Sequence, residues 1–332
     1  LTIYGDGDAS LLTVNGDMSG ASADTTRTAL FNLAGTCTDI HLKDLKILGD
    51  GVEGNQQRGI GYVYASAPSL SRIHVTNVTF KNLLIAAVIP GPQECRFLNC
   101  RVYSSVGSAS GKGLGFVSEL GAASIRTTDF KVTACHFFQT LRHAIYVNKC
   151  DGYVITDCTF REHQTGFVSA ATDGKVAIAL SRSTGGTVTG NVFTSCSNGS
   201  ISIDTDGTGG TDHVYGCSVT GNTFYNGRGC EFRVGKADVS TTDDVTDINF
   251  VGNTIVTNVN YAAENIIVND VKNFRFADNV IDADRAYAAT HYIMKLSEYT
   301  ASYFSGLTIE NNSGAISSSG SEYFVYISAA LS

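Results

Sequence analysis

Cys217-Ser-Val-Thr-Gly-Asn-Thr-Phe224 decides the fold, because the same eight-residue pattern returns about ten times along the chain. The repeats are Ile40–Ile47, Ile73–Phe80, Cys95–Val102, Phe130–Phe137, Tyr153–Phe160, Gly186–Phe193, Cys217–Phe224, Ile248–Ile255, Phe274–Ile281 and Leu307–Gly314. Positions one and three are mostly apolar, and position eight is usually Phe, Ile or Val. The fifth column reads Asp44, Asn77, Asn99, Ala134, Asp157, Gly190, Gly221, Gly252, Asp278, Asn311. The sixth reads Leu45, Val78, Cys100, Cys135, Cys158, then Asn191, Asn222, Asn253, Asn279 and Asn312. Three cysteines followed by five asparagines in one column imply repeats stacked in register, about 4.8 Å apart. Stacked Asn amides then bond from turn to turn.

Repeats follow one another at about 22 to 35 residues. That is too short and irregular for βαβ units and fits one β-solenoid coil with variable loops. A second apolar segment follows most repeats, as in Ile201-Ser-Ile203 and Phe232-Arg-Val234, with the two-residue period of a half-buried strand. Each coil is therefore expected to hold at least two strands meeting at the Asn/Asp/Gly corner, with a third, shorter one poorly marked. The expected fold is all-β, a parallel β-helix of about ten or more coils. The repeat runs unbroken from about Asp39 to Asn312, so residues 1–332 read as one elongated domain. The chain has no initiator Met and starts inside a repeat, so it is expected to be a fragment of a longer protein.

Composition fits. Pro is scarce, at 3 residues, as strands that need their N–H groups require. The net charge of −8 argues against a general nucleic-acid binder, which needs a basic face. The longest apolar run, Leu83–Ile89, is too short for membrane insertion. Nine cysteines include the Cys100/Cys135/Cys158 column and a Cys95/Cys217 column, and read as buried free thiols. No His/Cys spacing reads as a zinc site. No cofactor is called for; the hard oxygen ligands of Asp243-Asp244 would admit calcium, with nothing to fix its geometry.

The repeat pattern resembles the right-handed parallel β-helix superfamily, which includes pectate-lyase-like enzymes and bacteriophage tailspikes. Leu1-Thr-Ile-Tyr-Gly-Asp-Gly7 looks like the first coil of such proteins, and Arg142-His-Ala-Ile-Tyr-Val147 resembles a strand of tailspike-like members. The resemblance implies an extracellular or virion-tail protein whose partner is a bacterial capsule, O-antigen or exopolysaccharide. It also implies a homotrimer.

Several residues carry candidate chemistry. By alternation Arg142, Ala144 and Tyr146 face outward, and a Tyr ring beside a guanidinium suits a sugar. His163, in Arg161-Glu-His163, and Lys175 join them as substrate-binding residues. Ser202, Asp204 and Asp206 take the outward parity of their strand, Asp173 lies about one coil earlier, and Glu231 lies one coil later, again outward. Paired carboxylates about 5–5.5 Å apart suit retaining glycoside hydrolysis, and about 6.5–9.5 Å suits inversion. The expected function is an endo-glycosidase with Asp173, Asp204 and Asp206 as acid, base or nucleophile and Glu231 in reserve. Two alternatives stay open. One is a polysaccharide lyase using Tyr146, His163 or Lys175 as base, a role the superfamily resemblance implies. The other is a receptor-binding or structural module without catalysis. The tyrosines after Asp282 read as a sugar-stacking surface or a subunit interface.

Overall fold

A computed structural model describes residues 1–13, 29–33, 35–52, 57–62, 69–103, 114–118, 126–162, 176–197, 199–205, 213–227, 229–235, 244–257, 264–285, 290–297, 305–318 and 321–328. Apart from one 3-10 turn at Gly7–Ala9, every named element in them is a strand. The strands form two parallel sheets, one 20-stranded and one 11-stranded, called here the wide and the narrow sheet.

From Cys95 onward the eight-residue repeat folds as two strands, not one. In the seventh repeat Val214–Thr220 and Thr223–Tyr225 flank a bend at Gly221-Asn222. The missing third strand is thus the tail of the repeat itself. The bend is a single left-handed residue, and the whole fifth column adopts it, from Asp44 at φ 55° to Asn311 at φ 54°. Asn, Asp and Gly tolerate that region, which explains the column's composition; Ala134, at φ 51°, is its exception. Because the kink costs one residue in every turn, strands on both sides stay paired with the same neighbours.

A second left-handed column precedes each repeat: Asp39, Arg72, Glu94, Asp129, Gly152, Gly185, Gly216, Asp247, Asn273 and Gly306. Sequence reasoning missed it. Eight of its ten members are Gly, Asn or Asp and were a legible signal; Arg72, Glu94 and the variable preceding loops hid it.

The sixth column points inward and forms the expected ladder. Oδ1 of Asn222 accepts from both N and Nδ2 of Asn191, each at 3.0 Å, and Nδ2 of Asn222 donates to Asn253 Oδ1 at 3.0 Å and to Val188 O at 2.9 Å. The same pattern continues through Asn253, Asn279 and Asn312. Where cysteine takes the column, sulfur accepts the N–H instead: Cys100 N donates to Cys135 Sγ at 3.3 Å, and Cys135 N to Cys158 Sγ at 3.5 Å. All nine cysteines are free thiols, as expected, and only Cys37 is not buried. Beside the ladder the eighth column stacks its rings, Phe137 on Phe160 at 5.0 Å, Phe160 on Phe193 at 4.7 Å and Phe193 on Phe224 at 5.0 Å. Each such ring, closed from water, contributes roughly 2–3 kcal/mol.

From Gln93 to Ser297 seven successive turns each carry three separate strands. Before them, Thr36–Leu48 and Ser69–Lys81 run through the repeat unbroken. After them, the final turn leaves Leu307 and Phe324 at the surface. The described residues form an all-β parallel solenoid of about seven regular turns, slightly fewer than the ten or more expected from counting repeats. The count ran high because it included the two leading repeats, whose strands are continuous though bent at Asp44 and Asn77, and the exposed last one.

Candidate functional site

The narrow sheet collects the second apolar segments, one strand per turn. Its inward residues are fully buried, for instance Ile145 and Val147, Ile178 and Leu180, Ile201 and Ile203, Phe232 and Val234. The strands pair so that equivalent outward residues align. Tyr146 lies beside Ala179, then Ser202, then Arg233. Two residues further on, Asn148 lies beside Ser181, Asp204 and Gly235.

Asp204 ends the strand Gly199–Asp204 and is half-buried. Ser181 Oγ, one turn back, donates to its Oδ1 at 2.7 Å, and Ser202 Oγ donates to its Oδ2 at 3.0 Å. Both oxygens are thereby held in place. Tyr146, half-buried, receives a bond from Asn148 Nδ2 at 3.4 Å and stacks on His143 with ring centroids 5.5 Å apart. His143 is buried, and its Nδ1 donates to Val176 O at 2.8 Å. Arg233 is exposed on the same face. Ser181, Asn148 and Arg233 escaped the sequence reading; stepping the register one coil either way from Asp204 and Tyr146 would have found them.

The site residues expected from sequence fare differently. Tyr146 and Asp204 occupy the outward face of the narrow sheet as expected. Arg142 is half-buried in the connection before the strand Ile145–Asn148, not within it. Asp173, Asp206, His163 and Lys175 lie outside the described residues. Glu231 is a correction. It does not face outward; it is 1% exposed, accepts from Ser200 Oγ at 2.9 Å, and lies so near Gly227 that a Cβ added there would clash with its carboxylate. Ala144 is corrected likewise, at 0% exposed. The cause is the bend entering the narrow sheet. Ala144 N and Ile145 N both donate to Ala177 O, so the two-residue alternation breaks there and consecutive side chains are both buried.

Asp244, half of the proposed calcium pair, bonds Lys272 Nζ at 2.9 Å, and Asp243 lies outside the described residues. Of the C-terminal tyrosines, Tyr292, Tyr323 and Tyr326 cluster, with the Tyr292 and Tyr326 centroids 4.5 Å apart. No helix among the described residues is long and apolar enough to cross a membrane.

No family model matches this chain, and no curated protein does. Solved structures do. PfbA, a surface adhesin of Streptococcus pneumoniae, is 13% identical over 99% of this chain and 84% of its own, with a TM-score of 0.59. Full-length tailspike protein 2 from the Escherichia coli O157:H7 bacteriophage CAB120 is 13% identical over 76% of this chain, with a TM-score of 0.52, and the match spans only 33% of that tailspike. A DFA-IIIase mutant from Arthrobacter chlorophenolicus A6, in complex with DFA-III, is 14% identical over 92% of this chain and 62% of its own, with a TM-score of 0.51. At such identities the likeness is one of fold: this chain is a parallel β-solenoid similar to a phage tailspike, a bacterial surface adhesin and a DFA-IIIase.

Proposed function

We propose that this protein binds a bacterial surface polysaccharide across the outward face of its narrow sheet and cleaves it as an endo-glycosidase. The observation that carries the reading is Asp204, a half-buried carboxylate gripped by two serine hydroxyls, one strand from exposed Arg233 and on the same face as Tyr146. The tyrosine ring offers a platform for a pyranose, and Arg233 and Asn148 offer hydrogen bonds to hydroxyls or a carboxylate. Asp204 acts as one of the two carboxyl groups that glycoside hydrolysis needs, with Asp173 or Asp206 as its partner. Glu231, closed from solvent, is left out of that pair. Arg142, His163 and Lys175 position the glycan. The solenoid similarities to a tailspike and a surface adhesin support placing the protein outside the bacterial cell, on a virion or as a secreted molecule. Homotrimeric assembly belongs to the same proposal.

The test is incubation with a panel of capsular and O-antigen polysaccharides, following new reducing ends and the ultraviolet absorbance of unsaturated uronates together. Reducing ends without absorbance are expected. Asp204→Asn is expected to lower the rate by about a hundredfold or more, the scale of losing a positioned acid or base. Rising absorbance would transfer the reading to a lyase with Tyr146 at its centre.

A further inference from the structure

The chain carries a net charge of −8, yet one part of its wide sheet is basic. The outward side of the short second strands of the early turns forms two adjoining rows. In one row Lys46 aligns with Thr79 and then Arg101. In the other, two residues along each strand, Lys81 aligns with Tyr103, Phe138 and Arg161. Lys81, Arg101 and Arg161 are exposed, and Lys46, Tyr103 and Phe138 half-buried. The rings of Tyr103 and Phe138 meet edge-on at 6.4 Å, and the Arg161 guanidinium lies 5.9 Å over Phe138.

Most cations elsewhere on this face, and Arg161 within the strip, are already matched. Lys43 sits 3.5 Å from Asp44, Arg96 2.9 Å from Glu94, Lys131 2.7 Å from Asp129, and Arg161 3.6 Å from Glu162. Lys46, Lys81 and Arg101 have no carboxylate within 4.0 Å among the described residues. From Lys46 to Arg101 is two strand spacings, roughly 10 Å along the solenoid axis. Three unmatched cations on successive turns, with Tyr103 on the strand of Arg101 and Phe138 one turn beyond it, call for an extended anion with apolar faces of its own.

We infer that this strip of the wide sheet is a second glycan-binding surface, separate from the narrow-sheet site, and that its ligand is a carboxylate-bearing polysaccharide lying along the solenoid axis. Sugar C–H faces pack on Tyr103 and Phe138, while Lys46, Lys81 and Arg101 take the carboxylates. A nucleic acid duplex fits the strip less well, because among the described residues no α-helix lies beside it to enter a major groove. The inference goes beyond the cleavage reading and stands whether or not Asp204 is catalytic.

Polygalacturonate is the probe, with its neutral methyl ester and a short DNA duplex as controls. The wild-type protein is expected to bind polygalacturonate, to lose it as salt rises, and to ignore the ester. The triple variant Lys46→Gln, Lys81→Gln, Arg101→Gln is expected to bind about tenfold more weakly, with an unchanged thermal midpoint. Should it fail to fold, Lys81→Gln alone, at an exposed site, carries the comparison and must weaken binding. Equal binding by the variant, or by the ester, would overturn the inference. So would tighter binding of DNA than of polygalacturonate, or a loss of binding in Arg233→Gln in place of the triple variant, which would put the polyanion on the narrow sheet.

Discussion

Asn222 shows how much one residue does in this solenoid. It is 1% exposed, gives both amide hydrogens and accepts two N–H bonds on one oxygen. Asn222→Ala strands the donors of Asn191 and the carbonyl of Val188 in the interior. A stability loss of about 3 kcal/mol is expected, since each buried group left unsatisfied costs about 1–3 kcal/mol. Asn222→Cys is expected to lose distinctly less, because sulfur already accepts that N–H at Cys135 and Cys158. Urea unfolding of the two variants, with midpoints shifting at constant slope, checks both. The column was legible because a buried ladder tolerates few residue types. Arg72 and Glu94 were not legible as bend residues, since their left-handed backbone runs against local preference and is held by the strands on either side. Arg72 also pairs across the turn with Asp39, whose carboxyl the guanidinium holds below its ordinary range.

At the scale of an element, the columns of the interior set how the protein meets alkali. Burial pushes the thiol of Cys150 up to about 12, that of Cys217 to about 11 and that of Cys230 to about 12. Cys95, Cys135 and Tyr153 move the same way for the same reason. In the unfolded chain these thiols ionise near 9. The folded state therefore holds protons that the unfolded state gives up. Its stability is intact below about pH 9 and falls progressively as pH rises toward 11 to 12. Thermal midpoints measured across that window should decline, and a flat profile would contradict the burial of the columns. With a thiol reagent at neutral pH, about one equivalent, from Cys37, is expected in the native protein and nine after denaturation. At the same scale, the apolar segments after the repeats were legible by their alternation. The failure at Glu231 was of an element's edge: two consecutive buried residues at the entry to a strand reverse the parity that a strand's middle predicts.

Across the whole molecule, stability should vary along the axis, because each turn rests only on its neighbours. Turns between Thr127 and Val268 are covered above and below, and their inward residues are almost wholly buried. In the final described turn Leu307 is 38% exposed, Phe324 37% and Ile327 64%. Amide hydrogen exchange on the 332-residue chain is therefore expected to be fastest in Thr308–Glu310 and Ser321–Ser328 and slowest in Tyr153–Ile203. Uniform protection from end to end would mean that something else covers that turn. The overall charge likewise hid a local fact. A net −8 disfavours a basic face in general, but stacking repeats brings Lys46, Lys81 and Arg101, each unremarkable in its own segment, onto one strip.

Repetition along the chain was enough to specify a stacked parallel solenoid with an Asn ladder and a cysteine column. These are repetitive, and repetition is visible in one dimension: the same constraint acts on the same position of every turn. Which side chains share the outward faces came from the folded register alone. Asp204 finding Ser181, and Lys81 finding Tyr103, depends on register between strands whose separation along the chain changes from turn to turn. The intervening loops vary in length without moving the strands, so no fixed spacing in the sequence records those contacts.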